Sequence, residues 1–245
     1  MRPALLLFAI VALLAAGCGG GAHTAATTAL STVSPPAVTA PPTQKTMPLE
    51  LFFLADDGKL VGVRRDVPET QAVATAALRE LAAAPAGATT DVPGGLTVSI
   101  ADGVAHLAGQ TLTKAALAQV VYTLTEFSTV KTVDGEGRAD VEQLAPAILV
   151  EHPVPHESVT SPLRATGTAD TYEATFQYEL KDAGGAVIAH GFTTATSGNG
   201  MRGTFDFTVP FQIDRNQSGT LVVYESSAEN GSRIHERAIP IELAH

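Results

Sequence analysis

The chain has 245 residues, of which 45% are apolar and 16% are charged, so it carries enough apolar material for one or two folded domains. Its formal net charge of −10 and its lack of tryptophan argue against phosphate-binding and base-stacking surfaces, so we expect no nucleic-acid partner. A single cysteine can form neither an internal disulfide nor, by itself, a zinc site.

The first residues predict a signal peptide. Arg2 is followed by an uncharged apolar run, residues 4–16, which as a helix would span about 20 Å, short of the roughly 30 Å hydrocarbon core of a membrane. Small residues then precede Cys18, and the stretch LLAAGC resembles the lipobox of bacterial lipoproteins. The resemblance implies removal of residues 1–17 and lipidation of Cys18, which would anchor the chain in the membrane. The alternative is an ordinary signal peptide with an incidental cysteine.

Residues 18–46 are predicted to form a disordered tether. They are rich in glycine, alanine, threonine, serine and proline, and Lys45 is their only charged residue, so this stretch has no face to bury. A flexible coil of this length reaches roughly 30 Å from end to end. We therefore expect the folded part of the chain to stand off the membrane.

Residues 47–145 are predicted to form a small mixed α/β domain. The apolar run 49–55 predicts a buried strand, Asp57-Gly58 predicts a hairpin turn, and residues 59–67 predict the returning strand. Pro68 is expected to open a helix that ends before Gly87. The face that this helix should bury consists of Val73, Ala77, Leu78 and Leu81.

A second hairpin and a second helix complete this domain. Residues 96–100 and 104–108 predict two strands around the turn Asp102-Gly103. Thr113 is expected to cap a helix over residues 114–127, followed by a short strand within 130–133. The apolar stripe of the helix consists of Leu117, Val120, Val121, Leu124 and Phe127, with Tyr122 and Glu126 outside it. We expect both helices to lie on one face of a single small mixed sheet.

Residues 146–245 are predicted to form an all-β domain. Seven short stretches with alternating apolar residues, separated by turn residues, are typical of an immunoglobulin-like sandwich. The chain lacks the cysteines and the tryptophan that fill the core of antibody domains. Together, the two domains indicate an α+β fold class.

Two stretches of the first domain, LFFLADDGKLVGVRR and LAQVVYTLTEFSTVKTV, resemble the GerMN domain of sporulation and spore-germination proteins. The second domain, beginning with ILVEHPVPHESVTSPLRATGTADTYEATFQYEL, is similar to the immunoglobulin-like domain that follows GerMN in many envelope proteins. The resemblance implies no catalytic residues. By analogy with small α/β modules of ring-like envelope assemblies, it implies self-association or docking to an envelope protein.

Two clusters of polar residues invite a metal-site interpretation. His152 and His156 stand four residues apart, but the intervening prolines exclude a helix, so a turn is expected there. The acidic stretch 134–142 lacks the glycine and the terminal carboxylate of a calcium loop, so we interpret it as a solvated loop between the domains. No metal or cofactor is expected.

Three other groups of polar residues also have simple structural interpretations. Gly198-Asn199-Gly200 predicts a turn rather than a phosphate-binding loop. Arg202 and Arg233 are candidates for salt bridges at strand ends and, less strongly, for ligand contacts. A hydrolase would need a nucleophile motif that is missing around the polar residues Ser226, Ser227, Glu229 and His235.

These observations predict a non-catalytic envelope lipoprotein on the extracytoplasmic face of the cell membrane, anchored by Cys18. Its expected work is protein–protein or cell-wall-proximal binding, in sporulation or germination by resemblance. The alternative is a small-solute-binding lipoprotein, which would need a deep pocket at the domain interface. A buried carboxylate pair with strongly shifted pKa values in a cleft would instead indicate an envelope hydrolase.

Overall fold

The structure is a computed structural model that describes residues 45–245. The signal peptide, Cys18 and nearly all of the tether lie outside the described residues, so the predictions made for them stay predictions. Among residues 45–245, no helix has the length and apolar character needed to cross a membrane.

The first domain begins with the expected hairpin. β1 (Thr46–Leu54) pairs antiparallel with β2 (Leu60–Pro68) along its whole length, with Leu54 opposite Leu60 next to the turn. Gly58 has a φ of 72°, a conformation that glycine adopts without steric cost. The second half of β1 is buried, as its apolar sequence predicts.

The first helix starts later than the sequence predicts. Pro68 ends β2 opposite Thr46, and α1 (Val73–Leu81) follows after a short connection. The strand extends this far because Val67 is buried against the core, and a proline is tolerated at a strand end. The prediction that Pro68 opens the helix is therefore wrong. The buried face of α1 is confirmed, with Leu81 completely inaccessible to solvent.

The second hairpin and the short strand are confirmed. β3 (Thr97–Ala101) pairs antiparallel with β4 (Val104–Ala108), and β4 pairs parallel with β5 (Thr132–Val133). These strands form a sheet of their own, separate from the β1–β2 pair, so the prediction of one continuous sheet is wrong. Side chains of the second helix, rather than another strand, bind the main chain of β1 at Phe52.

The second helix, α2 (Lys114–Leu124), begins as predicted and ends one turn early. Thr113 Oγ1 accepts a hydrogen bond from the Ala116 N–H at 3.0 Å, which is the expected N-cap. The helix is buried on more than one face. Its polar residue Thr123 also points into the protein, where its Oγ1 accepts a hydrogen bond from the Phe52 N–H at 2.9 Å. Tyr122, which lies outside the predicted apolar stripe, is also buried and packs on Phe52 with ring centroids 5.5 Å apart.

The second domain is an immunoglobulin-like sandwich, and all seven predicted strands are present. One sheet has the order β10-β9-β12-β13-β7, and the other has the order β11-β8-β6. The strands are β6 (Ile148–His152), β7 (Ser158–Val159), β8 (Leu163–Ala169), β9 (Thr175–Lys181), β10 (Val187–Thr194), β11 (Gly203–Val209), β12 (Gln217–Ser226) and β13 (Arg233–Leu243). The short strand β7 adds an eighth member that the sequence does not predict.

Strand β6 belongs to the cores of both domains. Ile148 and Val150 pack in the core of the sandwich, whereas Leu149, on the opposite face of the strand, packs in the core of the first domain. This follows from the alternation of side chains along a strand, which here places one face toward each core. The two domains are thus parts of a single compact unit joined by one strand.

Candidate functional site

Charged side chains from both domains meet beside β6, where the two cores join. We call this group the junction cluster, and it consists of Glu50, Glu126, Arg138, Glu151, His152 and Glu157. Glu50 comes from β1, Glu126 follows α2, and Glu151 and His152 end β6. Arg138 opens a 3₁₀ helix, Arg138–Leu144, that leads into the second domain.

Glu50 occupies the most enclosed position of the cluster. Its side chain is only 16% exposed, and its Oε1 atom is buried without a hydrogen-bond partner. In the β1–β2 pair Glu50 stands opposite Arg64. Gly62 leaves room for the carboxyl group, because a Cβ atom at that position would lie 3.3 Å from Glu50 Oε1. A buried carboxyl oxygen without a partner is costly, and the cost is greatest when the group is charged.

Arg138 ties α2 to β6. Its guanidinium donates to Glu151 Oε1 at 2.7 Å, to Thr125 Oγ1 at 2.8 Å and to the Tyr122 carbonyl at 3.1 Å, and it also pairs with Glu126. The same group lies over the Tyr122 ring, 4.8 Å from its centroid. One cation thus holds two carboxylates from two different domains.

His152 lies between two carboxylates. Its Nδ1 is 3.8 Å from Glu50 Oε2, and its Nε2 is 3.3 Å from Glu157 Oε1. Glu157 also accepts a hydrogen bond from the Val154 N–H at 3.0 Å and lies 3.9 Å from Arg64. The imidazole therefore connects β1 of the first domain to the loop that follows β6.

The electrostatics of the cluster favour a protonated Glu50. Burial, together with the charges of Glu126 and Glu151, raises the pKa of Glu50 to about 8, and only Arg138 opposes the shift among the larger contributions. Burial also raises the pKa of Glu151, although its bond to Arg138 acts in the opposite direction. At neutral pH the junction accordingly holds a neutral carboxyl at Glu50.

Two cavities at the junction are small, whereas an open recess of about 480 Å³ beside Lys59, Arg202 and His235 is larger and lined mainly by polar side chains. The one beside Glu50 has a volume of about 170 Å³ and is bounded by Arg64, His152 and Val154. A second cavity of about 220 Å³, lined mainly by apolar residues of β2, β6 and β13, lies between the two domains. Both are below the range of roughly 300–1,000 Å³ that is usual for small-molecule sites.

Two further contacts connect the domains around the cluster. Arg237 of β13 donates to Asp57 Oδ2 in the β1–β2 turn at 2.5 Å. Burial of Asp57 opposes ionisation, but the hydrogen bonds from Lys59 N–H and Arg237 outweigh it and lower the pKa of Asp57. Arg202 donates to the Pro146 carbonyl, in the connection between the domains, at 2.8 Å.

The two histidines with metal-like spacing do not act together. The chain turns between them as predicted, so His152 joins the junction cluster, while the main chain of His156 donates to the Pro240 carbonyl. Among residues 45–245, no group of three or more histidine, cysteine or acidic side chains is placed to hold a metal ion.

The acidic stretch is more ordered than a solvated loop. Its second half is the 3₁₀ helix, whose start is closed by Asp140 Oδ2 accepting from the Gly137 N–H at 2.7 Å. Asp134 accepts from the Leu107 N–H at 3.2 Å. These carboxylates bind the chain's own backbone, which explains their spacing without a cation.

The polar residues near the C-terminal strands form another arrangement than a hydrolase set. His235 Nδ1 lies 2.9 Å from Glu225 Oε2, and Glu225, only 5% exposed, also accepts from the Tyr172 N–H at 2.9 Å. Ser226 and Glu229 are exposed to solvent. The buried Glu225 therefore fixes a loop of the sandwich.

Of the remaining polar residues singled out in the sequence, some lie where they were predicted and one does not. Gly198-Asn199-Gly200 forms the predicted turn, in which Asn199 has a φ of 59°. Arg233 makes the predicted salt bridge at a strand end, with Glu179 and Glu236 as partners. Arg202 does not, because its guanidinium donates to the Thr168 and Pro146 carbonyls instead.

The junction cluster could not be predicted from the sequence. Its members come from four stretches of the chain between residues 50 and 157, and no spacing motif connects them. One local signal was available, because Glu50 is the only charged residue in the apolar stretch MPLELFFLA. An acid inside a strand that is otherwise apolar is a reason to expect a buried titratable group.

Comparisons with known proteins identify both domains. Residues 50–134 match a family described as "Sporulation and spore germination", and residues 147–232 match one described as "Immunoglobulin-like domain of bacterial spore germination". The solved tandem GerMN domains of the sporulation protein GerM from Bacillus subtilis are similar at 14% identity and a TM-score of 0.32, covering 81% of this chain. This chain spans 61% of that one. No curated protein matches the chain.

Proposed function

The chain carries a sporulation and spore-germination domain followed by an immunoglobulin-like domain of bacterial spore germination, and we propose that it is a membrane-anchored, non-catalytic binding and assembly module of the cell envelope. In this proposal Cys18 carries the lipid anchor, and the tether displays the folded unit on the extracytoplasmic face. The partner is an envelope protein or a second copy of the chain.

The observation that carries the proposal is the filled junction between the domains. A solute-binding protein needs a mainly apolar pocket of ligand size. The apolar cavity between these domains measures only about 220 Å³, and the larger recess of about 480 Å³ beside Lys59, Arg202 and His235 is lined mainly by polar side chains. Strand β6, shared by both cores, and the pair Arg237–Asp57 instead make one continuous body. Such a body suits a spacer that holds two surfaces in a fixed relation.

Two exposed side chains on the sandwich supply a surface for the partner. Tyr172 is 57% exposed and Met201 is 68% exposed, and both belong to loops that are hydrogen-bonded to each other. Glu173 N–H donates to Asn199 Oδ1 at 3.1 Å, and Asn199 N–H donates to the Thr171 carbonyl at 3.1 Å. An aromatic ring and a thioether on ordered loops are typical anchors of protein interfaces.

Anchoring is tested by separating membranes from the soluble fraction of cells that produce the chain. We expect the native chain in the membrane fraction and Cys18→Ser in the soluble fraction. Mass spectrometry of the mature native chain should find a lipid on Cys18. An unmodified thiol, or a variant that stays in the membrane, would contradict the anchor.

Binding is tested by crosslinking in intact cells, followed by isolation of the anchored chain. The double variant Tyr172→Ala with Met201→Ala should lose the crosslinked partner, while Val187→Ala, 46% exposed on β10, should keep it. A crosslinked second copy of the chain would identify self-association. The same partner yield for all three proteins would refute this surface.

A specific observation favours a second candidate, an envelope hydrolase. Glu50 and Glu151 are a buried pair of carboxyls with raised pKa values, which is the pattern of a general acid. The cavity beside Glu50 is only about 170 Å³, and Glu151 is bound to Arg138, so substrate access is poor. Turnover of a cell-wall substrate that disappears in Glu50→Gln would favour this candidate over the binding module.

A further inference from the structure

The joint between the domains contains a buried group whose charge state affects both of them. Glu50 comes from the first domain, and its buried Oε1 has no hydrogen-bond partner. Its Oε2 faces His152, the last residue of β6. Because β6 contributes to both cores, a change at Glu50 acts directly on the strand that joins them.

Charged groups surround Glu50 from every element packed against it. Three of them are carboxylates, namely Glu126 after α2, Glu151 on β6 and Glu157 in the loop after β6. The cations are Arg138 of the 3₁₀ helix and Arg64 of β2, and His152 contributes an imidazole. Arg138 already forms salt bridges with Glu126 and Glu151. The side chain of Arg64 is 46% exposed and lies 3.9 Å from Glu157.

The surroundings therefore accept a neutral Glu50 and oppose a charged one. A protonated carboxyl adds no charge to a group in which acids already outnumber fixed cations. An ionised carboxylate would stand among three others, with Arg138 already paired to two of them, Arg64 beside Glu157, and one of its own oxygens shielded from water. Moving β1 away from the loop after β6 would relieve that repulsion and let water reach Glu50.

We propose that Glu50 is a proton-operated latch: while it is protonated the two domains are held in one orientation, and its ionisation loosens the joint without unfolding either domain. The shared strand keeps the domains connected in the loosened state. The contacts between the domains that are expected to open are those of Glu50 with His152 and of Arg64 with Glu157. This inference does not depend on the proposed partner or on the membrane anchor.

The test measures the distance between two spin labels, one on each domain. The full chain with Cys18→Ser carries cysteines at Lys114 and Arg215, both exposed to solvent, and the labels are attached there. At about pH 5 we expect a narrow distance distribution, and at about pH 9.5 a broad one, with the change falling between the ordinary glutamate pKa of 4.5 and about 8. The far-ultraviolet circular dichroism should be the same at both values.

Three variants distinguish a latch from a general effect of alkaline pH. Glu50→Gln should keep the narrow distribution throughout, while the exposed control Glu69→Gln should broaden like the parent. Glu126→Gln removes one of the charges that repel an ionised Glu50, so its distribution should broaden less at high pH than that of the parent. The proposal is overturned if the distance distribution of the parent stays narrow at high pH. It is also overturned if the distribution of Glu50→Gln broadens with the same midpoint as that of the parent. If Glu50→Gln fails to fold, equal broadening of Glu126→Gln and the parent has the same consequence.

Discussion

Replacing Glu50 by glutamine should change how the stability of the protein depends on pH. In the folded state the pKa of Glu50 is about 8, against 4.5 for an unperturbed glutamate. Between these two values the folded protein holds a proton that the unfolded chain has released, so the free energy of unfolding falls as pH rises. The contribution is fully present below about pH 4.5 and is lost as the pH rises through about 8.

The size of the effect follows from the shift. Each pKa unit corresponds to about 1.4 kcal/mol, so the loss is about 3 kcal/mol at neutral pH and about 5 kcal/mol above pH 8. Glutamine resembles the protonated carboxyl in shape and does not titrate. The variant should therefore match the parent near pH 4.5 and exceed it by a few kcal/mol at about pH 8.5.

The measurement is urea unfolding of both proteins at intervals of pH. The difference between the two free energies isolates Glu50, because every other group titrates in both proteins. Glu69→Gln, at an exposed position, serves as the control and should show a difference that does not change with pH. Parallel curves for the parent and Glu50→Gln would refute the assignment of a raised pKa to Glu50.

Four further substitutions test the packing by urea unfolding. Leu149→Ala should destabilise the protein by about 2–5 kcal/mol, because this β6 side chain is only 2% exposed in the first core; a loss below about 1 kcal/mol would contradict the shared strand. Thr113→Ala should cost about 1 kcal/mol through the lost cap of α2, and restoring the cap with serine should recover it. Gly167→Ala should cost at least about 1–3 kcal/mol, since a Cβ there would lie 2.8 Å from Phe205 Cζ. Arg237→Ala should cost no more than about 1 kcal/mol, because its partner in the β1–β2 turn is half exposed; a much larger loss would mean that this pair is essential to the junction.

Much of the fold could be predicted from local patterns. The alternation of apolar residues identified all seven strands of the sandwich, and turn residues separated them. The helix cap at Thr113 could be predicted because a threonine precedes the apolar stripe of the helix. The capping hydrogen bond depends only on residues within one turn. Patterns of this kind record interactions between near neighbours in the chain.

Predictions went wrong where distant residues compete for a position. Pro68 favours a helix start by its own geometry, but pairing with Thr46 kept it in β2. Tyr122 lies outside the apolar stripe of α2, yet it is buried because Phe52 and Arg138 cover its other side. A helix that packs against structure on more than one face cannot be recognised from a single stripe.

The sequence by itself determined the approximate positions of most strands and of both α-helices, and the order of the two fold types along the chain, because hydrophobic periodicity and turn chemistry act over a few residues. Only the tertiary structure decided that β6 serves two cores and that Glu50 meets Glu151 and Glu157 beside it. Those contacts join residues from separate elements. Their charge states depend on the burial and the neighbours that folding creates, and neither is written in the local sequence.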